Sequence, residues 1–130
     1  MSEINIWAVL AAAVSAFVLG GLWYSVLFGR IWMRETGMTE EKAQQGHPAR
    51  VFGGAFILSL LAAYAFAMFL GATPWKEATF YGFAAGLFWV AGSFGINYLF
   101  AQRSFKLWLI DGGYHTLQFT LYGLIIGLWK

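Results

Sequence analysis

Residues 4–29 read INIWAVLAAAVSAFVLGGLWYSVLFG, about 25 positions in a row without a Lys, Arg, Asp or Glu. At about 1.5 Å of rise per residue such a stretch makes roughly 37 Å of helix, enough to cross a hydrocarbon core of about 30 Å with some tilt. Val51–Trp75 and Ala78–Gln102 repeat the pattern at the same length. A fourth uncharged stretch, Gly112–Trp129, is shorter, and grows to a comparable span, Leu107–Trp129, only by accepting Asp111 and His115 inside it. The reading is an all-α integral membrane protein with four transmembrane helices in an antiparallel bundle. It forms one domain over residues 1–130, with spans at about 4–29, 51–72, 78–101 and 107–129.

Composition agrees. The chain is 60% hydrophobic and 11% charged, against about 25% charged in an ordinary soluble domain. Four spans with short links use nearly all of it and leave no room for a folded soluble domain. A net charge of +2 and a pI near 9.0 could suggest nucleic acid. The basic residues fall at span ends, however, where they serve topology and lipid headgroups, so the expected partner is the lipid bilayer and no nucleic acid. The absence of cysteine excludes thiol catalysis, disulfides and Cys-ligated metals. Met1-Ser2-Glu3 supplies no basic n-region, which argues against cleavage of a signal peptide after Ala11-Ala12-Ala13.

The links set orientation. Arg30–Arg50 holds Arg30, Arg34, Lys42 and Arg50, and Arg103–Lys106 adds two more, so one side collects six of the eight Lys and Arg. Lys76 and Lys130 fall on the other side. A basic excess marks the cytoplasmic side, which predicts a multi-pass protein of the bacterial cytoplasmic (inner) membrane with both termini outside. Trp7, Trp75 and Trp129 then lie at the outer boundary, and Trp32 and Trp108 at the inner one. Within the first link, Thr39 is placed to cap a short surface helix Glu40–Gln45, with Glu40 and Glu41 at its positive end and Gly46 and Pro48 after it. An internal echo also runs through the chain. Gly21-Leu22-Trp23-Tyr24-Ser25-Val26-Leu27-Phe28 is matched by Gly95-Ile96-Asn97-Tyr98-Leu99-Phe100, and each run precedes a basic residue and then a Trp. Duplicated hairpins account for this, and so do aromatic belts at two equivalent depths.

Lipid gives no hydrophobic drive between helices, so small residues that admit close backbone approach mark contact faces. The second span carries Ala55, Ser59, Ala63 and Ala67 at steps of four. In the third, Gly82, Gly86, Ser93 and Asn97 share a sector of about 60° at 100° per residue, with Thr79 on the same strip. The fourth has two non-lipid faces. Asp111, His115, Gln118 and Tyr122 occupy one sector, and Gly113, Thr116, Thr120, Gly123 and Gly127 the roughly opposite one. Such a helix is either central in its own bundle or at a subunit interface. The pattern leans toward a homo-oligomer, or docking on a larger membrane complex.

Asp111 lies about one turn inside the cytoplasmic boundary and His115 a turn deeper, where an unpaired charge costs a few kcal/mol. At i, i+4 the two can touch, and Asn97, Tyr98 or Tyr114 can reach the same level. Two roles fit: a proton- or ligand-handling site open to the cytoplasm, or a satisfied polar clamp between the third and fourth helices. Other chemistry lacks parts. A bis-His haem site would need a second subunit, since His115 is the only intramembrane His, and zinc lacks a third ligand beside His47 and His115. Ser93 or Ser104 with His115 and Asp111 comes without an oxyanion-hole or nucleophile motif. No catalytic residue, metal or cofactor is therefore assigned, and no enzyme is expected.

Gly21-Leu22-Trp23-Tyr24-Ser25, then Leu27-Phe28-Gly29-Arg30 with Trp32-Met33, resembles the opening signature of a bacterial membrane family known as domain of unknown function 1761. Asn97-Tyr98-Leu99-Phe100, Arg103, Lys106-Leu107, Asp111, Gly113-Tyr114-His115 and Gly127-Leu128-Trp129 resemble its second half. The resemblance spans nearly the whole chain and implies a small four-helix membrane protein, with no activity, substrate or cofactor attached. Val26 stands where relatives often carry Pro after Trp-Tyr-Ser, so no proline break is written there. The expected function is a small membrane protein that self-associates or docks as an accessory subunit of a larger complex. The alternative is a transporter or channel that moves a proton or small solute past Asp111 and His115.

Overall fold

Asn5 starts the first helix: its side-chain oxygen accepts the backbone N–H of Trp7 at 3.0 Å and of Ala8 at 3.2 Å. The computed structural model describes residues 4–129, and the side chains of all of these except 43 and 44. Helix α1 (Ile6–Gly21) continues into a π-helical segment, Leu22–Leu27, and the rod breaks at Phe28. A kink there leads into α2 (Gly29–Thr36), which Gly37 ends in the left-handed region at φ 77°. Next comes α3 (Glu40–Gln45), with the Thr39 hydroxyl accepting the Lys42 N–H at 3.1 Å, so the cap and the short helix stand where the sequence puts them. Pro48 is the first residue of α4 (Pro48–Leu70), a position where its missing N–H is not needed. The third rod consists of α5 (Trp75–Ala84), a second π-helical segment, Ala85–Ala91, and α6 (Gly92–Ala101). Gln102 turns the chain at φ 57°, and α7 (Phe105–Leu128) closes the sequence.

The structure is all-helical, with no strand among the described residues. Three rods are long and apolar enough to cross a membrane: 6–27, 48–70 and 75–101. Their outer faces are apolar too, with Val26, Phe69, Leu99 and Phe100 each more than three-quarters exposed. So much bare hydrocarbon is untenable in water and natural in lipid, which makes this a membrane protein. Helix α7, 24 residues long, carries Lys106, Asp111, His115 and Gln118. It also holds more buried residues than any other helix and packs against α1, α2, α4, α5 and α6. Both non-lipid faces expected of it are therefore occupied within one chain.

One of those faces is a seam of backbone on backbone. A Cβ added at Gly82 would overlap the Phe119 carbonyl, and one at Gly86 would lie 2.7 Å from the His115 oxygen and the Thr116 Cα. A Cβ at Gly123 would overlap the Ala78 carbonyl, and one at Gly127 would meet the Trp75 Cα at 2.7 Å. Partner positions descend along α7 as positions on α5 rise. Gly82, Gly86, Gly123 and Gly127 thus do what small residues do in lipid: they let two helices touch without side chains between them. Gly113 lies apart from this seam, because an added Cβ would meet the Trp23 ring at 3.2 Å.

The π segments change the register. A π segment admits one extra residue per turn, as in the Phe28 N–H to Trp23 carbonyl bond at 2.9 Å, five residues apart. On the third rod the inward positions are Ala78, Gly82, Gly86, Ala91, Gly95 and Tyr98, and the single step of five falls inside Ala85–Ala91. Constant 100° spacing places Ser93 and Asn97 on this face, and that assignment is corrected. Both are exposed: the Ser93 hydroxyl donates to its own helix at the Trp89 carbonyl, 2.6 Å away.

Asn5 Nδ2 donates to the Trp129 carbonyl at 3.0 Å, tying the start of α1 to the end of α7. At the opposite end Arg103 donates to the Thr36 carbonyl at 3.3 Å, joining the two links. Between them the bundle has two layers. Toward the termini lies an apolar core with Ala8, Val9, Ala12, Ala63, Phe66, Ala67, Ala78 and Ile126. Toward the links the interior is polar and aromatic.

Candidate functional site

Helix α7 builds the polar layer. The Ser104 hydroxyl oxygen accepts the Leu107 N–H at 3.1 Å and starts the helix. Steps of four, three and four then put Asp111, His115, Gln118 and Tyr122 on one face. Asp111 is buried, 7% exposed, and each of its oxygens accepts from one tyrosine: Tyr24 at 2.7 Å on the first, and Tyr98 on the second. Two donors from two other rods hold the carboxylate, so its cost in a low-dielectric interior is offset by charge-assisted bonds. The Trp23 indole donates to the Ile110 carbonyl at 2.8 Å, the Trp108 indole to the Ala91 carbonyl at 2.8 Å, and the Tyr114 hydroxyl to the Ala16 carbonyl at 2.9 Å. Every one of these bonds crosses between helices.

His115 makes no hydrogen bond to Asp111. Its Nδ1 lies 2.5 Å from the Gln118 side-chain oxygen, and since an amide oxygen only accepts, the proton sits on Nδ1. The ring stacks on Phe94 with centroids 4.9 Å apart and planes 15° from parallel, and Tyr114 meets its edge at the same distance. Gln118 Nε2 donates to the Tyr122 hydroxyl at 2.6 Å. That hydroxyl donates to the Ser59 carbonyl at 3.1 Å and lies 2.6 Å from the Ser59 hydroxyl, which then donates to it. Tyr122 is fully buried and anchors α7 to α4. The column from Asp111 to Tyr122 covers about 16 Å of helix. Past Tyr122 its neighbours are the apolar core of Ala63, Phe66 and Ile126. Among the described residues no buried side-chain N or O lacks a partner, and no three His, Asp or Glu side chains converge as a metal set.

Four of the five residues expected in the cluster thus share a face, and Asn97 does not join them. It faces outward, and Tyr98, the next residue, takes the place by Asp111. The cause is the extra residue of the π segment. Two partners were missed on sequence: Tyr24, and Ser59, which was read as packing only. The internal echo carried the signal for Tyr24, because it aligns Tyr24 with Tyr98, and those are the two hydroxyls on Asp111.

A family model described as "Protein of unknown function (DUF1761)" matches residues 7–127. No curated protein and no solved structure matches the chain.

Proposed function

As the chain belongs to the DUF1761 family, whose description assigns no activity, we propose a function from its own geometry. The protein is a four-span antiparallel bundle in the bacterial cytoplasmic membrane, with both termini outside. It acts by association, with itself or as an accessory subunit of a larger membrane complex, and not by catalysis. The observation that carries this reading is the closed state of the polar column. All of its groups are engaged, Asp111 by Tyr24 and Tyr98 of two other rods, Tyr122 by Ser59 of α4, and His115 and Gln118 by each other and Tyr122 along α7, and it stops at Tyr122 against apolar side chains. A conduit needs polar groups or water on both sides of its midpoint, and the layer toward the termini offers Val9, Ala63, Phe66 and Ile126. The fourth crossing is supported by the surroundings of α7, since the other rods shield its Asp111 from lipid. The orientation is supported by the six basic residues gathered at the link end.

The test is reconstitution of the full chain in vesicles holding a pH-sensitive dye, with photobleaching steps counted on a labelled sample. The expected result is no imposed-gradient proton flux above empty vesicles, and more than one copy per bleaching spot at raised density. A flux that disappears in Asp111→Asn while the fold is retained would establish the transport alternative instead.

A further inference from the structure

Asn97 is a polar side chain that the bundle leaves over. It is exposed on α6, and its amide has no hydrogen-bond partner among the described residues. About 6 Å of helix separates it from the end of α6 at Ala101. Its Cβ leans toward the helix N-terminus, away from the links, and the side chain is too short to reach back to water as a lysine does. Around it the surface is apolar: Ile96, Leu99 and Phe100 are all largely exposed, as is Trp89 two turns earlier. An amide stranded on such a surface loses the hydrogen bonds it had in water. Helix α6 itself is an edge helix. It has no buried residue, and beyond its own rod it packs chiefly on α7.

The π segment explains why the amide is there. With plain α-helical spacing Asn97 would share the inward face of Gly82 and Gly86; the added residue turns Tyr98 in and Asn97 out. π-segments inside α-helices recur at functional sites because they re-aim side chains in this way. We infer that the strip Trp89, Ser93 and Asn97 is the face on which a second copy of this chain docks, with the two Asn97 amides paired across a two-fold axis normal to the membrane. This rests on the self-association reading above and names its surface.

The second copy is singled out by complementarity. An amide carries both a donor NH2 and an acceptor C=O, so two amides related by a two-fold axis satisfy each other reciprocally. Such an axis also places both at the same depth without any adjustment. Ser93, one turn away, is small enough for close helix approach, and its hydroxyl is already turned back on the Trp89 carbonyl. The strip bears no charge that would repel its own image.

Because the chain contains no cysteine, single-cysteine reporters need no background removal. Ser93→Cys, Asn97→Cys and, as a control on the exposed side of α4, Ile57→Cys are oxidised in membranes. In parallel, wild type, Asn97→Leu and Asn97→Gln are counted by photobleaching in vesicles over a range of protein density. The expected result is a disulfide-linked dimer from position 93 or 97 and none from 57. Asn97→Leu should dimerise about tenfold more weakly, and Asn97→Gln should recover part of the loss. Dimers of wild type and Asn97→Leu with equal affinity, or cross-linking at 57 but not at 93 or 97, would overturn this face and leave self-association standing. A wild type that stays monomeric at every density would overturn both.

Discussion

Replacing Gly86 by Ala adds one methyl group at a backbone-on-backbone crossing with α7, and its effect can be worked from distances. The new Cβ would sit 2.7 Å from the His115 oxygen, 2.7 Å from the Thr116 Cα and 3.0 Å from the Thr116 oxygen. Comfortable contact needs about 3.5–4.0 Å, so the shortfall is about 1 Å. All three obstacles are backbone atoms of α7, which no rotamer change can move aside. The two helices must therefore part by about that amount, and the contacts at Gly82, Gly123 and Gly127 open with them. A gap of about 0.5–1 Å forfeits a quarter to a half of each dispersion contact, and overpacking of this kind costs about 1–3 kcal/mol. We expect Gly86→Ala to fall at the upper end of that range. The internal control is Gly53→Ala on the exposed face of α4, where an added Cβ meets nothing within 4 Å. It should be neutral or stabilising by up to about 1 kcal/mol, since Ala is the better helix former. Reversible unfolding in mixed micelles of increasing SDS fraction, followed by tryptophan emission, measures both. Equal midpoints for Gly86→Ala and wild type would refute the backbone seam.

Asp111→Leu strips Tyr24 and Tyr98 of their common acceptor and should cost about 2–4 kcal/mol in the same titration. Asp111→Asn keeps an acceptor oxygen and should lose roughly half as much. Tyr122→Phe removes the hydroxyl shared by Gln118 and Ser59, for an expected loss of about 1–3 kcal/mol. A double-mutant cycle with Ser59→Ala should show coupling above about 0.5 kcal/mol; additive losses would mean that the two side chains do not act as a pair. A periplasm-sensitive reporter fused after Trp129 should be active, and activity of a cytoplasm-specific reporter at that position would reverse the topology.

Most of the helical plan was legible because it rests on local quantities. Uncharged runs near 25 residues and the Thr39 cap need only composition and backbone preference, and α3 falls on Glu40–Gln45 as read. The α7 face of Asp111, His115, Gln118 and Tyr122 was legible too, since that helix keeps one period from end to end. Periodicity failed on the third rod, where Ser93 and Asn97 exchanged faces with their neighbours. Nothing in the stretch Ala85–Ala91 announces an extra residue per turn; it is apolar throughout and would read equally well as plain α-helix.

What the sequence determines alone is therefore that the chain makes long apolar rods, where the links fall, and that α7 must hide two faces. Hydrophobic length and charge act residue by residue, and need no knowledge of neighbours. Tertiary structure decided the partners. It alone placed Tyr24 and Tyr98 on the two oxygens of Asp111, sent His115 to Gln118 and not to Asp111, and set Gly82 and Gly86 against the backbone of α7. A hydrogen bond depends on distances of a few tenths of an ångström between rods. One residue added to a helical turn rotates everything after it by about 100°, and where that residue goes is settled by packing between helices.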